Sequence, residues 1–237
     1  MRNVKIIYGR ELFSYFSSPM AYIFLVIFSL FNGYFFTNTF FLINQSDMRA
    51  LFNVVPLIYL FFIPAVTMGL IAREKNSGTI EVMATLPIVD WEFVLGKYLA
   101  ALTLVVVGLG FSLVHFITLM ITGTNIDYGA VLSGYLGLIM VGAFYAAIGT
   151  FASSVTENQV VAFIIGVALV LFFFLMNMML MFMPVWLSGV VQYMSVDYHL
   201  SNLSRGVIDS RNLIYFGTMI WLFLMLTVRL LEMRKWR

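Results

Sequence analysis

"LFNVVPLIYLFFIPAVTMGLIAREKNSGTIEVMATLP", Leu51–Pro87, changes character at one point. From Ala50 to Ala72 no residue is charged; Arg73, Glu74, Lys75 and Glu81 then follow closely. A helix rises about 1.5 Å per residue, so roughly 20 apolar residues cross a hydrocarbon core about 30 Å thick. The first part therefore reads as a membrane span, and the charged part as its exit into water.

The rest of the chain extends that reading. Its 237 residues are 62% hydrophobic and only 10% charged, where a soluble domain carries about 25% charge. An ordinary water-soluble fold is excluded. The net charge of +2 gives no reason to expect nucleic acid, and the absence of cysteine excludes disulfides and thiolate metal sites. Met20–Ile43 is longer than a signal-peptide core and is followed by no small-residue cleavage site, so it reads as a retained first span.

Six stretches satisfy the length test: about 20–43, 51–72, 98–121, 130–152, 160–182 and 212–228. Six spans place both termini on one side. That side holds Arg2, Lys5, Arg10, Arg73, Lys75, Lys97, Arg229, Arg234, Lys235 and Arg237; the other holds only Arg49, Arg205 and Arg211. The excess of cations predicts cytoplasmic termini. The charged exit, Arg73–Pro87, then faces the cytoplasm too.

Within that exit Ser77 is placed to cap a short helix with Glu81 near its first turn, where the helix dipole favours an anion. Ile80, Met83, Ala84 and Pro87 recur at helical spacing and give it an apolar face. Pro87 ends it, and Asp90 is expected to cap the helix that leads through Trp91 and Lys97 into the third span. Two readings stay open: a hairpin that solvates the turn, or a docking helix for a cytosolic partner. Near the N-terminus, Val4, Ile7, Tyr8, Leu12, Tyr15 and Phe16 gather on one helical face, with Glu11 misplaced on it and Ile6 and Phe13 misplaced opposite. This predicts an amphipathic helix over 1–18 lying in the interface before Pro19, against the alternative of a long tilted first span.

The sequence also resembles a family. "REKNSGTIEVMATLPIVDWEFVLGKYLA" is similar to the segment after the second span of ABC-2 type permeases, the membrane subunits of type V ABC exporters, in Arg73, Glu74, Gly78, Thr79, Ile80, Glu81, Leu86, Pro87, Gly96 and Lys97. "DYHLSNLSRGVIDSRNLIYF" resembles the segment before the sixth span in the gliding-motility and nitrous-oxide-reductase-maturation branch, with Leu200 standing where Phe is expected after the His. The resemblance implies a single ABC-2 transmembrane domain over 1–237. Its coupling segment, 73–92, would sit in a groove on a separate cytosolic ATPase that binds ATP and Mg, with Arg73, Glu74, Gly78, Thr79, Ile80, Glu81, Met83 and Pro87 at the interface. It further implies a second permease chain, as homodimer or heterodimer, in a bacterial inner membrane.

Chemistry within the chain itself is thin. The only Gly-Lys, Gly96–Lys97, is followed by Tyr98 and lacks the earlier glycine of a phosphate loop, so nucleotide must bind elsewhere. His115 lies in the third span, three residues after Ser112, but no carboxylate shares that span and no third orienting group follows. Helix packing, or lining a polar pathway, explains it better than catalysis. On the other side, Asp197, His199, Arg205, Asp209 and Arg211 cluster in a connection over 183–211 whose uncharged part, Pro184–Val196, is too short to span and too apolar to float. It reads as a re-entrant or interfacial helical hairpin, with a solvated loop as the alternative. The resemblance gives the same paired short helices and an outer gate; Asp197 with Arg205, and Asp209 with Arg211 or Arg205, are candidate ion pairs. A single histidine without partners is a poor metal site, so none is expected at His199. Gly134, Gly137, Gly142 and Gly149 in the fourth span are expected to let helices approach closely. The Phe172–Phe174 run and the methionines from Met176 to Met183 suit lipid contact and packing.

The expected fold is thus an all-α membrane protein of six transmembrane helices, with an amphipathic interfacial helix first and a re-entrant hairpin before the last span. The expected function is that of a permease subunit of an ATP-driven exporter, not an enzyme. Two alternatives stand beside it: a mechanotransmitting anchor that passes motion to a periplasmic accessory protein, and an intramembrane enzyme.

Overall fold

The structure is a computed structural model and describes residues 2–42, 47–80, 87–124 and 126–234. Regular structure among the described residues is helical: α1 (Arg2–Phe16), α2 (Pro19–Thr37, continued by a π turn Asn38–Leu42), α3 (Arg49–Thr67), α4 (Ala72–Asn76), α5 (Asp90–Thr122), α6 (Tyr128–Val155), α7 (Gln159–Met179, followed by a 3-10 turn Leu180–Phe182), α8 (Val185–Met194), α9 (Val196–Ser204) and α10 (Ser210–Arg234).

Six segments are long and apolar enough to cross a membrane: Pro19–Phe41, Arg49–Asn76, Asp90–Thr122, Tyr128–Val155, Gln159–Phe182 and Ser210–Met233. They coincide with the six spans expected from hydropathy. Three of their starts are chemically marked. Ser18 accepts a hydrogen bond from the Met20 N–H ahead of Pro19, Asp127 accepts one from Ala130, and Asn158 accepts from Val160 and Val161.

Two elements differ from the hydropathy reading. The third span begins eight residues early, at Asp90, and its 33 residues make a rod roughly 50 Å long, well beyond the hydrocarbon core. Its first turns are covered by α1. The second span does not run straight through to Ala72: α3 ends at Thr67, a turn over 68–71 follows, and the chain restarts as α4. The Ser153 hydroxyl holds that turn, accepting from the Ile71 and Ala72 N–H groups at 3.0 Å each and donating to the Met68 carbonyl at 2.7 Å. The helix breaks there because another helix satisfies the backbone groups that the break sets free.

Helix α6 is the axis of the bundle, and its glycines make it so. A Cβ added at Gly134 would lie 2.1 Å from the Phe52 ring, and one at Gly149 would lie 1.9 Å from Thr67 Oγ1, both against α3. At Gly142 it would meet Val105 of α5 at 2.7 Å, and at Gly137 Leu200 of α9 at 2.9 Å. Small residues thus bring three neighbours against one helix, as the packing reading anticipates. Helices α2 and α7 instead turn much of their apolar surface outward. The Phe172–Phe174 run divides accordingly, with Phe173 in the core and Phe172 facing out.

The connection over 183–211 holds two unlike short helices. α9 buries Val196, His199, Leu200, Leu203 and Ser204, whereas α8 buries no side chain, leaving Val185, Trp186 and Val190 outermost.

Candidate functional site

The charged elbow after α3 is tied at its root by four charges. Glu74 Oε1 lies 2.7 Å from Arg10 Nη2 and 3.0 Å from Lys97 Nζ; Glu11 Oε1 lies 2.7 Å from Lys97 Nζ and 3.1 Å from Arg10 Nη2. Two carboxylates and two cations alternate, and the Lys97 side chain at their centre is 1% exposed, with its ammonium 5.0 Å from the centre of the Phe93 ring. Burial pushes the Glu11 carboxyl up, but Lys97 and then Arg10 outweigh burial and hold it below its ordinary value of 4.5.

The geometry accounts for a Gly-Lys pair at the head of the third span. A Cβ at Gly96 would lie 2.9 Å from the Ile7 side chain and 3.2 Å from the Val4 carbonyl, so glycine lets α1 lie against α5. The next residue, Lys97, then reaches both carboxylates. Asn3 extends the seam by donating to Glu92 at 2.8 Å and to the Pro87 carbonyl at 3.4 Å. At the far end of α1, the Tyr15 hydroxyl donates to the Val66 carbonyl at 3.0 Å. Burial, with the Glu11 charge behind it, pushes that phenol well above its usual range.

Beyond this root the elbow turns outward. Lys75 donates to the Ser154 carbonyl at the turn between α6 and α7, while Arg73, Asn76, Ser77, Gly78 and Thr79 are exposed. Gly78, at φ +70°, takes the left-handed turn, and the backbone is helical again at Thr79 and the half-buried Ile80. Among the described residues, Ser77 takes no bond from the Thr79 or Ile80 N–H such as the anticipated cap would make. Its hydroxyl donates to the Glu74 carbonyl at 3.3 Å and shares a 2.9 Å bond with Thr79 Oγ1, because the turn at Gly78 folds it back onto α4. Likewise Val89 occupies the cap of α5 and Asp90 falls in its first turn. Glu81 and Met83 lie outside the described residues.

Glu74 therefore points inward, with its side chain 12% exposed, whereas Arg73, Gly78 and Thr79 point out. Sequence reasoning missed Arg10, Glu11 and Lys97 as partners of Glu74, and Ser153 as the clasp. One signal was present: Glu11 sits on the apolar face of α1, and a carboxylate there calls for a cation on the opposing element.

At the opposite end, Asp197 accepts from Asn177 at 2.6 Å and Asp209 accepts from the Arg211 backbone N–H at 2.9 Å. Neither forms an ion pair with Arg205 or Arg211 among the described residues. Asp197 turns toward α7, and Asp209 is engaged as a local cap to α10. His199 is fully buried. Its Nε2–H donates to the Tyr193 carbonyl at 2.8 Å, so its Nδ1 accepts from the Asn212 side-chain amide 2.8 Å away, and its ring stacks on Tyr215 at 4.0 Å. Both nitrogens are thereby engaged by the protein. His115, half-buried, stacks on Phe36 at 4.8 Å with Gly33 beside it. Ser112 turns away from it, donating to the Leu109 carbonyl at 2.7 Å and bonding to Tyr135. No Ser–His pair is found among the described residues.

A family model described as "ABC-2 family transporter protein" matches residues 27–230 of the chain. No curated protein matches it.

Proposed function

Since this chain belongs to the ABC-2 transporter family, and is thereby a multi-pass membrane permease component of an ABC transporter, we propose that it serves an exporter driven by a separate cytosolic ATPase. That partner binds ATP and Mg and grips the elbow. The tip of the elbow, with Arg73, Gly78, Thr79, Ile80, Glu81, Met83 and Pro87, supplies the contact, while Glu74 fastens its root.

One observation carries this reading. The elbow exposes Arg73, Asn76, Ser77, Gly78 and Thr79, yet its root is bonded at once to α1, α5 and the turn after α6 through Arg10, Lys97 and Ser154. A push on the tip is delivered to three elements, not absorbed in a loose loop. The surplus of Lys and Arg on the side of the elbow supports cytoplasmic termini in a bacterial inner membrane. The outward apolar faces of α2 and α7 suit lipid and a second permease chain. At the outer end, α8 and α9 act as a re-entrant pair with Asp197, His199, Arg205, Asp209 and Arg211 shaping the gate. The block from Asp197 to Phe216 supports the gliding-motility-like branch.

The test is copurification. Tagged wild-type chain should bring down an ATPase carrying a phosphate loop; Glu81→Arg should reach the membrane at normal yield but release it. Undiminished ATPase recovery with Glu81→Arg would remove the elbow as the interface.

A further inference from the structure

Helix α1 meets the bundle with the face expected to lie in lipid. Ile7, Glu11 and Tyr15 are buried, Ile7 lies against Gly96, and the Tyr8 hydroxyl is 3.1 Å from Thr103 Oγ1. Protein has taken the surface that the amphipathic pattern reserved for the interface. The opposite face stays open. Ile6 is 64% exposed and Phe13 76%; Arg2, Lys5 and Gly9 are exposed with them, and a Cβ at Gly9 would meet nothing within 4 Å. These five residues follow one another at helical spacing, so one strip of α1 carries two large apolar side chains and two cations.

The strip has one sign of charge. Glu11 is the only carboxylate in α1, and it turns inward onto Lys97. Arg10, at the edge, is held by Glu74. Arg2 and Lys5 form no ion pair among the described residues. The depth of the strip is fixed as well. Lys97, bonded to Glu11, is the last charge before the uncharged run Tyr98–Ile126, and only Ser17 and Ser18 separate α1 from the first span. The helix therefore lies where hydrocarbon gives way to headgroups.

That position and composition select the occupant. Water penalises Ile6 and Phe13, and hydrocarbon penalises Arg2 and Lys5. A soluble anion leaves the apolar pair in water, and a zwitterionic headgroup brings its own cation to the two already there. An anionic phospholipid satisfies all four side chains. We propose that the outer strip of α1 binds anionic phospholipid, with Ile6 and Phe13 among the acyl chains and Arg2 and Lys5 on the headgroup phosphate. The proposal rests on the chain spanning a membrane and not on its ATPase. Because Glu11 and Arg10 of the same helix grip Lys97 and Glu74, the lipid gains a hold on the root of the elbow.

Phe13→Cys gives the cysteine-free chain one thiol for a fluorophore, at a position exposed enough to accept it. In phosphatidylcholine nanodiscs, doxyl-labelled phosphatidylglycerol should quench that fluorophore several-fold more than doxyl-labelled phosphatidylcholine at equal content. Arg2→Gln with Lys5→Gln should erase the preference while leaving the melting temperature and quenching by phosphatidylcholine unchanged. Exchanging chloride for inorganic phosphate at constant ionic strength should leave the preference intact. Equal quenching by the two lipids, a preference kept by the double variant, or a preference abolished by phosphate would overturn the proposal. Absence of quenching by either lipid would place the strip in water or under a soluble partner, and would overturn it too.

Discussion

The Glu11 carboxylate sits 2.7 Å from the Lys97 ammonium, joining the N-terminal helix to the third span across 86 positions of sequence. Both side chains are almost wholly buried, and Glu74 joins them from the elbow. The pair is therefore a joint between elements and not a surface ornament.

Removing one partner of such a pair strands the other. Lys97→Met or Glu11→Gln alone should cost about 3–5 kcal/mol, whereas Glu11→Leu with Lys97→Met should cost much less, since apolar replacement of a whole buried pair is often neutral. Thermal unfolding of the two single variants and the double variant in detergent measures this. Additive losses would show that the two charges are not coupled.

Acid should loosen the same joint. Glu11 is held below its ordinary value of 4.5, so its contribution is fully present above that value and is lost as pH falls through it toward the folded-state value. Between neutral pH and about pH 4, wild-type melting temperature should drop more than that of Glu11→Gln, whose residue 11 cannot titrate. Equal slopes would contradict the assignment.

Gly149 predicts a steric result. Gly149→Ala drives a methyl into Thr67 and should destabilise by about 1–3 kcal/mol, with Thr67→Ala restoring only part of the loss, because the Cβ at position 67 still lies 2.8 Å from the new methyl. Gly110→Ala, where nothing lies within 4 Å, should be tolerated. The comparison is read by chemical or thermal unfolding.

The clasp at Ser153 makes a prediction about motion. Ser153→Ala leaves the Ile71 and Ala72 N–H groups without their acceptor, at about 1–3 kcal/mol. Hydrogen exchange at those amides should quicken while exchange in the middle of α6 does not. Unchanged protection at Ile71 and Ala72 would show that the clasp does not hold the turn.

Fastening and contact can be separated on the elbow. Arg10→Ala should leave the ATPase copurifying but weaken the effect of the permease on its hydrolysis rate, because Arg10 grips Glu74 at the root and not at the tip. Loss of binding itself would place Arg10 in the interface. The chain has no cysteine, so Thr79→Cys and Arg205→Cys also give a clean labelling test of topology; both positions are exposed and should react from opposite sides of the membrane.

The six spans and the packing role of the fourth-span glycines were legible in the sequence. Hydropathy and residue size depend on the chain itself, and lipid or a close neighbour reads them residue by residue; the caps expected at Ser77 and Asp90 depended on where the chain turns, which the sequence did not show. The inward turn of Glu74, the grip of Lys97 on two carboxylates, the clasp of Ser153 and the burial of His199 were decided only by tertiary structure. Each joins side chains, or a side chain and a backbone group, on different elements of the chain, and packing alone brings them together. Glu11 marks the boundary between the two: sequence showed a charge on the wrong face of a helix, and the fold supplied the cation that makes the face right.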